Sequence, residues 1–336
     1  MRGLALAALV PALLCAASPA EKQKKDNIQK PMAGPRATAL KVTWLYVSPN
    51  LTAQKVDRVQ IGREMVVAEK SGTWLRVYAN TDIEEVTNDR DTPLVGSDNT
   101  PTPISGWMEA RGVVIETTPD GDQVIMGEAA NQESLASDPR GPTNAAQTAR
   151  LLYRRLVEMF PNSTLASEAA WRAADIEWQI EKSDQASRPS SKEQKPYMRE
   201  GMDEDGMKKV IKFYPHTKQA DMAAYALIDN KLCGDWQGQE KCPEKEAEYY
   251  EKYATEHPDG PRTAKALFEA VYRNAVLVDM FTADNSDKKA DEAKGRAHDL
   301  VGRLKDKFPQ SDYTARASAL VFKLDQGIPV YGIDKQ

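Results

Sequence analysis

Phe160-Pro161-Asn162-Ser163-Thr164-Leu165-Ala166-Ser167-Glu168-Ala169 decides the architecture of the C-terminal half, because its pattern returns three more times. Tyr214-Pro215, His257-Pro258 and Phe308-Pro309 follow Phe160-Pro161 at intervals of 54, 43 and 51 residues. Aligned on the prolines, each unit has alanine eight residues later: Ala169, Ala223, Ala266 and Ala317. Twelve residues later come Ala173, Leu227, Ala270 and Val321. Five residues before the proline stand Leu156, Val210, Tyr253 and Leu304, and eight before it Tyr153, Met207, Tyr250 and Val301. Residues at eight, five and one before the proline share one face of a helix. Proline disfavours helical backbone at the residue before it, so the first helix of each unit ends there. The following residues include good N-cap types, such as Ser163, Thr217 and Ser311, and a second helix starts. Alanine on its buried face allows close approach to the first helix. Each unit is expected to be a helix–turn–helix hairpin, and hairpins of this kind bury their apolar faces by stacking. Residues 143–325 hold four of them.

Working back from the repeats, residues 118–142 are rich in Gly, Pro, Asp and Ser and read as a linker. Residues 38–117 read as β. Short alternating runs around Val42, Val66 and Val77 are separated by turn signals at Ser48-Pro49-Asn50, Gly62 and Ser71-Gly72. Turns about every ten residues favour a small barrel. The fold expected is therefore multi-domain, β then all-α. Trp44, Trp74 and Trp107 lie in this β segment, and each is expected in the core, because a small barrel has few other large residues to bury.

The ends of the chain read differently. In residues 1–20 Arg2 precedes an apolar run from Leu4 to Ala17, and Ser18-Pro19-Ala20 supplies small residues for cleavage. This is the pattern of a signal peptide, and a run of about 14 apolar residues is short for a membrane span. No integral span is expected in the mature chain. Cys15 offers a lipid anchor as the alternative, but Leu14 is too large for the position before a lipidated cysteine. Residues 21–37 are a Lys- and Pro-containing tether. Residues 326–336, with Gly327, Pro329 and Gly332, read as an irregular tail. A net charge of −5 argues against a nucleic-acid partner, which needs a basic face.

The β segment resembles the bacterial Src-homology-3-type domain. The likeness rests on Ser48-Pro49-Asn50 after an apolar strand, the Gly62 turn, Ser71-Gly72-Thr73-Trp74-Leu75-Arg76-Val77 and Ser105-Gly106-Trp107-Met108. Residues 81–104 depart from it as an acidic, Pro-containing insertion. This resemblance implies binding of cell-wall peptides or other polypeptides, with Trp44, Trp74 and Trp107 as a stacking surface for such a ligand. The repeats resemble the tetratricopeptide superfamily. The Phe160-Pro161-Asn162-Ser163 element is similar to that of its bacterial envelope members. Among these are the helical-repeat lipoprotein of the outer-membrane β-barrel assembly machinery and the Tol-Pal-associated periplasmic coordinator. The units exceed the usual 34 residues, with extra length at residues 183–196, 233–242 and 283–289.

Chemistry-bearing motifs are sparse. Cys233 and Cys242 flank a polar stretch, and in an oxidising compartment a pair this close reads as a disulfide. The metal-site alternative would need four ligands, and no histidine lies near in sequence. His216, His257 and His298 all fall inside the repeat pattern, and His257 takes a place held by Phe or Tyr elsewhere. Tyr249, Tyr250 and Tyr253 form an aromatic stripe that reads as core. No His-Glu-x-x-His, Gly-x-Ser-x-Gly or phosphate-cradling Gly loop occurs, so no catalytic residue and no cofactor is assigned. The expected function is a non-catalytic scaffold of the cell envelope, in the periplasm or at the outer-membrane periphery. Its expected partner is an envelope protein or peptide, with the barrel contacting peptidoglycan or a second protein. The alternatives are a peptidoglycan-binding wall anchor and an enzyme with an unrecognised site.

Overall fold

The computed structural model describes residues 33–82, 103–187, 201–234, 236 and 238–331. Residues 1–20, expected to be a signal peptide and holding Cys15, lie outside the described residues, as do most of the expected tether, residues 83–102 of the insertion, residues 188–196 of the first extension and residues 332–336 of the tail.

Seven strands form the N-terminal unit: β1 (Arg36–Ala39), β2 (Thr43–Tyr46), β3 (Lys55–Val59), β4 (Glu64–Ser71), β5 (Trp74–Ala79), β6 (Ile104–Glu109) and β7 (Val113–Ile115). They make one antiparallel sheet in the order β3-β2-β6-β5-β4-β1-β7. Register shifts within the β2–β3 and β4–β5 pairs bend the sheet. Alternation then sends Leu45, Met65, Leu75, Val77 and Met108 into one interior, each 1% exposed or less. Gly62 has φ +80°, a left-handed turn that favours glycine, and a Cβ there would stand 2.9 Å from Leu151 Cβ.

Nine helices follow among the described residues. The first, α1 (Gly121–Ala136), corrects the expectation of a linker over residues 118–142. Its composition is that of a loop, and only Ile125 and Ala129 along it are fully buried apolar side chains. Packing on the next helix, together with Val114 of β7, overrides the weak local propensity. At its start Gly121 lets the Phe160 ring approach closely, since a Cβ there would stand 2.7 Å from the ring tip.

Four hairpins come next: α2 (Ala145–Met159) with α3 (Ala166–Ser187), α4 (Asp205–Phe213) with α5 (Lys218–Ala226), α6 (Lys241–Glu256) with α7 (Thr263–Ala283), and α8 (Asp287–Lys307) with α9 (Asp312–Asp325). The four turns share one geometry. Phe160, Tyr214, His257 and Phe308 have φ of −127°, −127°, −123° and −129°, and ψ of 58°, 52°, 61° and 51°. Each donates its backbone N–H to the carbonyl four residues back and so closes the helix just before proline. Ser163, Thr217 and Ser311 then accept a backbone N–H through their side-chain oxygens, as caps do.

Burial follows the sequence register. Ala169, Ala223, Ala266 and Ala317 are all 0% exposed. All eight residues at five and eight before the proline are 4% exposed or less. The hairpins stack in sequence. Trp178 of α3 packs with Met207 and Val210 of α4, and Ile228, just after α5, joins the core of α6 to α9. Among the described residues no helix is long and apolar enough to cross a membrane.

Candidate functional site

The β-unit presents an aromatic face to solvent. Trp44, Tyr46, Trp74 and Trp107 lie on the side of β2, β6 and β5 opposite the core, and no tryptophan joins the interior cluster. Tyr46 stands directly across from Trp107, which stands across from Arg76. Trp74 meets Tyr46 edge to face at 5.7 Å. Trp44 is 38% exposed, with Lys55 Nζ 4.5 Å and the Arg58 guanidinium 5.4 Å from its ring centre. The three tryptophans singled out in the sequence thus share one outward face rather than the core expected of them, Trp74 and Trp107 half-buried and Trp44 exposed beside Lys55 and Arg58. Tyr46, Lys55 and Arg58 were not singled out. Their alternation with Leu45 and Val59 was the available signal, and it needed the strand pairing to become a surface.

This unit is fixed to the first hairpin by buried charge. Arg155 on α2 is 2% exposed. Its Nε donates to the Gly62 carbonyl at 2.9 Å, and its Nη2 lies 2.6 Å from the Asp82 carboxylate. The other oxygen of Asp82 accepts from Arg63 Nε at 2.9 Å. Glu158, one turn along α2, pairs with both Arg155 and Arg36. Every member has a partner of opposite charge, as burial of charge requires.

The hairpins leave grooves between the first helices of successive units. A cavity of about 720 Å³ runs between α2 and α4 over a floor of Ala170, Ala173 and Ala174 on α3. The small floor residues set its depth, and Phe213, 63% exposed, stands on its rim. Its lining carries both signs of charge, and Arg150 of α2 pairs with Glu177 of α3 at 2.5 Å. An equivalent cavity of about 510 Å³ lies between α6 and α8 over Leu277 and Phe281 of α7. A third, of about 500 Å³, lies among α1, α2 and α3, where burial pushes the Asp175 carboxyl above its ordinary value. Beside it, burial and then the Glu133 carboxylate push the Tyr153 phenol up, and that phenol donates to Glu133 at 2.6 Å.

Cys233 and Cys242 are joined, with an S–S distance of 2.19 Å and Cα atoms 6.0 Å apart. The loop they close is tied to Glu246, which is 1% exposed. Glu246 accepts from the Cys233 backbone at 2.8 Å, from the Trp236 indole at 3.1 Å and from Arg273 Nε at 3.0 Å. The Arg273 guanidinium also covers Tyr250, 4.6 Å from its ring centre. Sequence reasoning missed Glu246 and Arg273, since one charged residue among many on α6 and α7 carries no local mark. Tyr250 and Tyr253 are core, as the aromatic stripe suggested. His257 stacks on Tyr253 and sits 2.7 Å from the Asp221 carboxylate of the preceding hairpin, a packing and bridging position. His298 contacts Asp325 at 3.1 Å. Among the described residues no group of three or more His, Cys, Asp or Glu is placed to hold a metal ion.

No family model matches the chain, and no curated protein matches it. Among solved structures, a chain of a "DHF79 filament" is 14% identical, with 60% of this chain and 99% of that chain covered, at a TM-score of 0.20. So low a score carries no argument about fold or function.

Proposed function

We propose that this chain is a non-catalytic scaffold of the bacterial cell envelope that holds an extended polypeptide along its helical hairpins. The hairpins are read as tetratricopeptide-like and the β-unit as a barrel of the Src-homology-3 type. Export to the periplasm rests on the pattern of residues 1–20. The observation that carries the reading is the groove between α2 and α4, open along the hairpins and floored by alanines. Its volume is that of a binding cleft, and its shallow floor suits a backbone with small or apolar side chains. Arg150 and Glu177 in its lining pair with each other, which suits polar recognition better than acid–base catalysis.

A second reading, a wall-anchoring module, is favoured by the outward aromatic face. Aromatic rings flanked by Lys55 and Arg58 suit stacking on a sugar or peptide of peptidoglycan. One experiment separates the two. The full chain, an Ala170→Trp variant that fills the groove and a Trp44→Ala/Trp107→Ala variant are used for capture from solubilised envelopes and for sedimentation with purified peptidoglycan. The scaffold reading expects a captured protein that Ala170→Trp loses and the tryptophan variant keeps. Sedimentation with peptidoglycan that only the tryptophan variant loses, with no groove-dependent capture, replaces it by the wall-anchoring reading.

A further inference from the structure

Residues 326–336 were expected to be an irregular tail, and its described residues, 326–331, have no regular secondary structure, yet they are docked. The Val330 and Tyr331 backbone N–H groups both donate to one Asp279 carboxylate oxygen on α7, at 2.6 and 2.8 Å. Two successive amides converging on one carboxylate oxygen form a small anion nest that pins the chain to the helix. The Tyr331 ring packs 6.0 Å from the Trp236 ring, and the Tyr331 hydroxyl accepts the Gly238 backbone N–H at 3.2 Å. Trp236 and Gly238 both lie inside the loop closed by Cys233 and Cys242. Val330 is packed against the core of the last two hairpins, while Ile328 and Pro329 before it are exposed. The tail therefore has two anchors. One is on rigid helix, and the other is on a short loop whose shape depends on a covalent bond.

We propose that the Cys233–Cys242 disulfide is a redox latch for the C-terminal segment: oxidised, the loop holds Trp236 and Gly238 against Tyr331, and reduced, it lets the segment go. The Trp236 indole reaches Glu246 from within the closed loop, and Cys233 donates its backbone N–H to the same carboxylate oxygen. Opening the ring frees the loop between α6 and the short turn at Asp229–Lys231, and Trp236 loses the constraint that presents its face to Tyr331. Gly234 and Gly238, at φ +79° and +78°, give the opened loop little stiffness of its own. Both cysteines are half-buried rather than sealed, so a small dithiol reaches them. The reaction balances with that reagent alone. The S–S bond breaks and two S–H bonds form. The dithiol supplies two electrons and two protons and becomes a cyclic disulfide. Release uncovers Trp236, Tyr272 and Asp279 together, because Tyr272 packs 6.0 Å from Trp236 on the same side of α7.

The test is amide hydrogen exchange of the full chain, oxidised and after treatment with a dithiol reductant. The Val330 and Tyr331 amides are expected to exchange at least about tenfold faster after reduction, while α6 and α7 stay protected over the same minutes. Tyr331→Ala, with the disulfide intact, is expected to free the tail to the same degree. Unchanged exchange of Val330 and Tyr331 on reduction overturns the latch. So does loss of protection throughout α6 and α7 together with the tail, which would make the disulfide a general staple. Retained tail protection in Tyr331→Ala overturns it as well, since the loop then contributes nothing.

Discussion

Replacing Arg155 by alanine tests whether the β-unit and the first hairpin are one cooperative body. Three partners lose their donor: the Gly62 carbonyl, Asp82 and Glu158. Asp82 keeps Arg63 at 2.9 Å, and Glu158 keeps Arg36 at 3.2 Å, so neither carboxylate is stranded. Among the described residues the Gly62 carbonyl accepts from Arg155 alone, and an unsatisfied buried acceptor costs about 1–3 kcal/mol. The emptied volume of the arginine stem adds to this, because α2 packs closely on the turn at Gly62. Breaking a buried ion pair by removing one side costs about 3–5 kcal/mol, and with two carboxylates still paired the low end applies, about 3 kcal/mol. That is roughly a hundredfold in the folding equilibrium, at about 1.4 kcal/mol per factor of ten. Arg155→Met retains most of the volume and is expected to cost less than Arg155→Ala. The assay is urea unfolding of the full chain followed by tryptophan fluorescence and by far-ultraviolet circular dichroism. Both probes should move together to a lower midpoint, since the network joins strand turn to helix. A loss below about 0.5 kcal/mol, the level of an ordinary surface substitution, would refute the argument that this network is buried and shared. Separate transitions of the two probes in the unmodified protein would refute the single body.

Gly62→Ala places a Cβ 2.9 Å from Leu151 Cβ at a backbone of φ +80°, and a loss of about 1–3 kcal/mol is expected in the same urea experiment. Trp44→Ala removes a ring 38% exposed and its contact with Lys55, so stability should fall by no more than about 1 kcal/mol while any ligand affinity of the aromatic face drops. Binding that survives this variant would remove Trp44 from the site. Burial raises the phenol of Tyr153, and likewise those of Tyr225, Tyr250 and Tyr253, above the ordinary value of 10.0. The folded state then holds these protons where the unfolded chain gives them up. Stability is full below pH 10 and should be lost as pH rises past it toward the folded-state values. Urea midpoints between pH 7 and 11 measure this, and Tyr153→Phe should flatten the decline.

Several features were legible before any coordinates. Proline after Phe160, Tyr214, His257 and Phe308 ends a helix through a clash within two residues. Alanine eight residues on marks the close contact of each second helix. The pairing of Cys233 with Cys242 followed from their proximity in sequence. The helix α1 was not legible. Its composition is that of a linker, and its two fully buried apolar residues are too few for a periodic signal. The tail also read as irregular, because nothing local announces that Asp279 waits for its amides 51 and 52 residues away.

By itself, then, the sequence determined the order of a β-unit and four hairpins, where each hairpin turns, and which residues face inward along each helix. These are consequences of backbone sterics and of side-chain periodicity, which act over a few residues and so leave a pattern in the chain. The outward face shared by Trp44, Trp74 and Trp107 came from the packed fold. That fold alone paired Arg155 with Asp82 across 73 positions and docked the tail on the disulfide loop. Those outcomes depend on strand order and on helix stacking, where a charge or ring finds a partner distant in the chain. Many arginines, aspartates and aromatics meet the local requirements equally well, and only the packed fold selects among them.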